Sequence, residues 1–229
     1  MPYKVLACDY DGTLAARGVV DKATEESLER WLSAGRRLVL VTGRQLPDVM
    51  SIFPQAGAVF DWIVAENGPV LWQARTGQKE LLAPPPPAAF RDLLMKQGVK
   101  PLNVGDVVVA SDRKNAATVL AAIDQLGLQL EVIFNKESLM VLPNGVSKAT
   151  GLSAALRAMA VEAEDVAGIG DAENDAALIG ICGLGVAVAN AVSELKAAAD
   201  RVTLAEAGAG VAELIDDLLA HDRMPEPAS

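Results

Sequence analysis

Asp9-Tyr10-Asp11-Gly12-Thr13 follows directly on the apolar run Val5-Leu6-Ala7-Cys8, and this junction decides how the chain folds. A short, wholly apolar run reads as a strand buried on both faces, the kind found in parallel sheets. Similar runs recur at 38–41, 62–65, 166–169 and 185–189. Amphipathic stretches lie between and after them: 24–34, 46–53, 148–160, 172–179, 192–199 and 210–220 read as helices. The first of these carries Leu28, Trp31 and Leu32 at helical spacing, with Asp21 placed to cap its start and Gly35 to stop it. Strands alternating with helices predict an open α/β architecture with a mostly parallel sheet.

The middle of the chain departs from that rhythm. Segments 70–73 and 79–82 flank Thr76-Gly77 and read as a hairpin. Four prolines, Pro84 to Pro87, then make a stiff extended connector. A helix over 88–97 and a hairpin turning at Gly105-Asp106 come next. A second helix over 114–126 and a second hairpin turning near Lys136-Glu137 follow. This helix–hairpin unit occurs twice, so the expectation is a small α+β insertion. The division is a first core part over 1–83, the insertion over 84–145 and a second core part over 146–229, with a frayed tail from Asp222.

Composition narrows the function. The 229 residues are 51% hydrophobic, enough for a substantial core. The formal net charge of −10 disfavours nucleic-acid and anionic-membrane partners, which need Lys and Arg against phosphates. No apolar run reaches the roughly 18 residues of a membrane span, and the N-terminus does not read as a signal peptide. Cys8 and Cys182 are too few for a disulfide framework, which predicts a reducing, cytoplasmic setting. Cys8 reads as packing ahead of Asp9. With His221 as the only histidine, chemistry must run on carboxylates, hydroxyls, lysine and a hard metal.

Four clusters carry that chemistry. In an open α/β sheet, ligands bind beyond the carboxyl ends of the strands. Asp9 and Asp11 stand there, two residues apart, and Gly12 permits the turn that lets them converge. Thr42-Gly43-Arg44 follows a second strand and offers a hydroxyl and free main-chain N–H groups to a phosphate. Lys148 opens a helix, where its charge opposes the dipole unless an anion sits beside it. Gly170-Asp171-Ala172-Glu173-Asn174-Asp175 crowds acids on one strand-to-helix turn, more than capping requires. Each cluster alone is also what an ordinary polar loop looks like; the set is the signal. Two unit charges about 4 Å apart repel by roughly 4 kcal/mol at an effective dielectric near 20. Asp9, Asp11, Asp171 and Asp175 therefore gather around a phosphate only with cations, and an all-oxygen donor set selects Mg²⁺.

These motifs resemble those of the haloacid dehalogenase (HAD) superfamily of phosphatases. Glu66-Asn67-Gly68 is similar to a recurrent segment of its Cof-like branch, and the insertion falls where the type IIB branch carries an α+β cap over a Rossmann-like core. The resemblance implies Mg²⁺-dependent hydrolysis of a small phosphate monoester, a sugar phosphate or a phosphoglycolate-like metabolite, through a phosphoaspartate. Asp9 would be the nucleophile and Asp11 the acid and base. Thr42, the Gly43 backbone, Lys148 and Asn174 would hold the phosphoryl group. Asp9, the Asp11 carbonyl, Asp171 and Asp175 would bind Mg²⁺, the last directly or through water. From the insertion and the strand ends, Arg44, Arg113, Lys114, Asn115, Asn135 and Lys136 are candidates to meet the substrate. A monomer or homodimer is expected.

Two rivals share these residues. A phosphomutase would pass the phosphoryl group between positions of one sugar and would need a bisphosphate activator. A phospho-accepting switch needs no acid beside its nucleophile, so Asp11 and the insertion speak against it.

Overall fold

The computed structural model describes residues 3–135 and 137–221; Lys136, the side chain of Asn135, residues 1–2 and the tail from Asp222 lie outside the described residues. In chain order the elements are β1 (Val5–Cys8), α1 (Lys22–Ser33), β2 (Arg37–Val41), α2 (Leu46–Ile52), α3 (Ala56–Val59), β3 (Trp62–Ala65), β4 (Val70–Gln73) and β5 (Gln78–Leu81). Then come α4 (Ala88–Lys96), β6 (Leu102–Val104), β7 (Val109–Asp112), α5 (Ala116–Leu126), β8 (Leu130–Asn135) and β9 (Ser138–Pro143). The chain continues through α6 (Lys148–Met159), β10 (Val166–Gly170), α7 (Ala176–Gly180), β11 (Leu184–Ala187), α8 (Ser193–Ala198), β12 (Arg201–Val202) and α9 (Ala207–His221).

The larger sheet runs β12-β11-β10-β1-β2-β3-β4-β5, parallel from β12 to β3 and antiparallel across β3-β4-β5. This is the mostly parallel α/β sheet expected from the apolar runs. β1 is central and fully buried, and its side chains alternate between two cores. Leu6 and Cys8 pack with Trp31, Leu40 and Leu214, while Val5 and Ala7 pack with Val39, Leu152 and Val166. Cys8 pairs in register with Leu40 of β2 and Ile169 of β10. The residues just past those positions, Asp9, Thr42 and Asp171, consequently emerge at one edge of the sheet.

Local chemistry sets the helix ends. Asp21 caps α1 by accepting the Thr24 N–H at 2.7 Å, and Gly35, at φ +78°, turns the chain away after it. The helix expected over 172–179 instead opens as a 3-10 turn, Glu173–Asp175, before α7. The Asp175 carboxylate bonds back to the N–H groups of Asp171 and Ala172, both at 3.0 Å, and tightens that first turn. α9 starts three residues earlier than its periodicity suggests because the Asn190 side chain, far away in sequence, accepts the Ala207 N–H. α3 and β12 were not anticipated: four and two residues are too short to show a period.

Residues 88–143 form a second sheet, β6-β7-β9-β8, antiparallel throughout. It has its own apolar core, in which Phe90 and Leu94 of α4 and Val119 and Ile123 of α5 meet Val109, Leu139 and Val141. Each of its two helices precedes one of its hairpins, the repeat legible in the sequence. Among the described residues, no helix is long and apolar enough to cross a membrane.

Candidate active site

The loop after β1 is locked from within and from beside. The Asp9 N–H donates to the Ile169 carbonyl at 3.0 Å, and the Leu14 and Ala15 N–H groups close back on the carbonyls of Asp9 and Tyr10. Gly12 sits at φ +85°, and a Cβ there would stand 2.2 Å from Asp171 Oδ2, so only glycine lets the two acidic loops touch. The Thr13 hydroxyl reaches Asp171 Oδ1 at 3.5 Å.

Lys148 reaches the same place from the start of α6. Ser147 caps that helix in a reciprocal arrangement with Thr150, and the buried lysine turns inward. Its ammonium donates to Asp9 Oδ1 and Asp175 Oδ1, each at 2.6 Å. The dipole conflict seen in the sequence is thus offset by two carboxylates. Oxygen atoms of Asp9, Asp171 and Asp175 all lie within 4.8 Å of one another, and all three residues are buried. Three carboxylates face one ammonium. Burial raises the Asp9 pKa to about 7, helped by the Asp175 and Asp171 charges against the pull of Lys148. Burial alone would lower the Lys148 pKa, but the Asp175 and Asp9 carboxylates outweigh it and hold the lysine charged. This excess of negative charge and all-oxygen donor set fit a hard divalent cation, which Asp9, Asp171 and Asp175 could hold. Burial, then the charges of Asp9 and Asp175, pushes the Cys8 thiol well above its usual pKa, in keeping with a packing role.

Asp11 lies apart from the buried trio. Its carboxylate accepts two bonds from the Arg44 guanidinium, Nε to Oδ2 at 2.6 Å and Nη2 to Oδ1 at 2.7 Å. Thr42 is fully buried; its hydroxyl accepts the Arg44 N–H at 3.1 Å and its carbonyl accepts the Asn67 N–H at 2.9 Å. The hydroxyl therefore shapes the turn that presents Gly43 and Arg44.

A cleft of about 390 Å³ gathers Asp9, Asp11, Gly43, Arg44, Lys148 and Asn174 from the larger sheet. Glu137, Ser138 and Met140 line it from the second sheet. Asn174 donates to Asn67 Oδ1 at 2.9 Å, while its own Oδ1 is buried with no hydrogen-bond partner among the described residues. The other candidates of the insertion are placed elsewhere. Arg113 stacks over the Phe134 ring at 4.5 Å and Lys114 pairs with Asp112 at 2.7 Å. Asn115 bonds the Lys100 carbonyl and the Ser111 hydroxyl. None of these three lines the cleft. Asn135 lies in β8 with its side chain undescribed, and Lys136 is outside the described residues. Glu137, Ser138 and Met140 were missed because a hairpin's inward face shows only once the two sheets meet. Arg44, a candidate to meet the substrate, lines the cleft and also pairs with Asp11, 33 residues away, a pairing that no local sequence pattern shows.

The family model for haloacid dehalogenase-like hydrolases matches residues 6–84 and 92–215, and the chain belongs to that family. It is 33% identical over 226 residues to a phosphoglycolate phosphatase of Methanothermobacter thermautotrophicus, covering 93% of this chain and 97% of that protein. A phosphoglycolate phosphatase of Natronomonas pharaonis is 31% identical over 223 residues, covering 92% and 96%. In fold, the chain is similar to a haloacid dehalogenase-like hydrolase from Bacteroides thetaiotaomicron, with a TM-score of 0.81 at 22% identity over 94% of this chain and 99% of that one. Within its family the chain is of the phosphatase kind, a phosphoric monoester hydrolase.

Proposed function

We propose that the chain hydrolyses a small phosphate monoester, phosphoglycolate-like or a sugar phosphate, through a phosphoryl group carried transiently on Asp9. The observation that carries this reading is one buried carboxylate, Asp9, ion-paired to Lys148 in a cleft shared with a second carboxylate, Asp11, which Arg44 holds apart from the buried cluster. The names of the relatives favour phosphoglycolate among the small esters.

In this scheme an Asp9 oxygen attacks phosphorus and the bond to the leaving oxygen breaks. Asp11, protonated on the carboxylate oxygen that Arg44 releases as the ester binds, gives that proton to the leaving oxygen and the alcohol departs. Asp11, now a carboxylate, takes a proton from water, whose oxygen attacks phosphorus and breaks the acyl-phosphate bond. Inorganic phosphate leaves and Asp9 is regenerated. Lys148 and the Gly43 main chain hold the phosphoryl oxygens, while Arg44 keeps Asp11 aimed at the leaving side. Asn174, which lines the same cleft, contacts the phosphoryl group or orients Asp9 in this scheme. Asp175, bonded to Lys148 and to two N–H groups of its own loop, fixes both.

Asp9, Asp171, Asp175 and the Asp11 carbonyl would hold Mg²⁺, whose charge would keep Asp9 ionised and offset that of the phosphate. Residues 84–145 act as a cap that shapes the cleft around the ester's alcohol part. The test is phosphate release from phosphoglycolate, hexose phosphates and p-nitrophenyl phosphate, with Mg²⁺ and with EDTA. Release that requires Mg²⁺ is expected; no release from any ester by folded protein would refute the reading.

A further inference from the structure

Glu66 follows β3 in the larger sheet, is 2% exposed, and takes no part in the scheme above. Its carboxylate reaches a turn of the second sheet, between β6 and β7. Oε1 accepts the Asp106 N–H at 2.7 Å; Oε2 accepts those of Val107 and Val108 at 2.9 and 2.8 Å. Three successive N–H groups curled around one anion make a nest, a fixed patch of positive potential that suits a carboxylate. The fit is tight: a Cβ on Gly105 would stand 2.4 to 2.5 Å from the Glu66 carboxyl atoms. Beside it, Lys79 of β5 pairs with Asp106 at 2.8 Å.

The backbone is shaped for this contact. Glu66 and Asn67 both adopt the left-handed region, at φ +56° and +61°, which side chains other than glycine's enter at a cost. Asn67 ties the sheets a second time, donating to the Met140 sulfur of β9 and accepting from Asn174 of the acidic loop. Met140 and Ser138 line the cleft, and Glu66 lines the adjoining crevice of about 480 Å³ with Arg44, Gln45 and Asn103.

We infer that Glu66, seated in the nest at 105–108, is the anchor that positions the insertion over the cleft and thereby sets selectivity among phosphate esters. The inference rests on the phosphatase reading for its kinetic consequence but not for the contact itself. A buried carboxylate satisfied by main-chain groups from the other sheet leaves no partner behind if the sheets part, so the contact resists separation at this corner. Small polar esters depend on the crevice that the two sheets form together. p-Nitrophenyl phosphate depends on it less, because its leaving group departs with little help.

The experiment compares kcat/KM for the best small ester of the panel with that for p-nitrophenyl phosphate, in wild type, Glu66→Gln and Gly105→Ala. The first variant perturbs the anchor from the core side, the second from the nest side. The ratio is expected to fall tenfold or more in both, with p-nitrophenyl phosphate turnover within about threefold of wild type. A mere loss of folded enzyme lowers both substrates equally and leaves the ratio in place. Hydrogen exchange of the amides at 106–108 gives the second reading: protection in wild type is expected to drop at least tenfold in Glu66→Gln. If Glu66→Gln does not fold, Gly105→Ala decides alone. A ratio unchanged within twofold, or unchanged protection at 106–108, overturns the inference. An inactive wild type with strong protection at 106–108 would sink the phosphatase reading and leave the anchor standing.

Discussion

Arg44 and Asp11 meet in a two-point grip, Nε to Oδ2 at 2.6 Å and Nη2 to Oδ1 at 2.7 Å, with the guanidinium also 5.6 Å from the centre of the Tyr10 ring. The side chains are 34% and 44% exposed, so solvent screens the pair and its contribution to stability is small. Its value is directional. Arg44→Lys keeps the charge but loses the planar fork. We expect kcat to fall roughly tenfold on alkyl phosphates, with the melting temperature nearly unchanged. A variant with wild-type kcat would show that Asp11 needs no such guide.

Asp11→Asn separates proton transfer from the rest of the reaction. General acid–base catalysis contributes about 10²- to 10⁴-fold. A loss in that range is expected for an alkyl ester and a much smaller one for p-nitrophenyl phosphate. Steady-state kinetics on both esters checks it; equal losses would contradict the acid role.

Asp9→Asn should abolish turnover, and it should also change how stability responds to pH. In the metal-free protein the Asp9 pKa is raised from 3.8 to about 7, chiefly by burial. The folded chain therefore holds this proton more tightly than the unfolded one. Stability from this group is fully present below about pH 4 and is lost as pH rises towards 7. Thermal melts in EDTA from pH 4.5 to 8 should show wild type falling relative to Asp9→Asn, by a few kcal/mol at most. Mg²⁺ should restore wild type more than the variant. Parallel curves for the two proteins would place the proton elsewhere.

Gly12→Ala tests the contact between the two acidic loops. The added Cβ meets Asp171 Oδ2 at 2.2 Å, in a backbone conformation that costs alanine about 1–2 kcal/mol. The loops must move apart, so the Mg²⁺ concentration for half-maximal activity should rise at least tenfold. Magnesium titrations of wild type and variant measure this; identical curves would show that the loop spacing is not set by Gly12.

The α/β class, β1 with Asp9 at its end, and the cap and stop of α1 by Asp21 and Gly35 were legible in the sequence. Each follows from short-range rules: a strand buried on both faces must be apolar along its length, and a helix end needs a nearby acceptor or a left-handed residue. The acidic clusters were legible for the same reason, because residues just past a parallel strand sit at its carboxyl end whatever the neighbours are. The early start of α9 was not, since its cap comes from Asn190.

The sequence by itself therefore determined which side chains stand at the working edge of the sheet. Only the tertiary structure decided how they pair: Lys148 between Asp9 and Asp175, Arg44 on Asp11, Glu66 in the turn at 105–108. Lys148 and Asp9 are 139 positions apart, and no local periodicity relates them. Their meeting depends on the order of strands in the sheet and on the direction in which each buried side chain leaves its element. Burial then removes the water that would otherwise screen each charge, so every carboxylate must find its partner in the protein or in a bound cation.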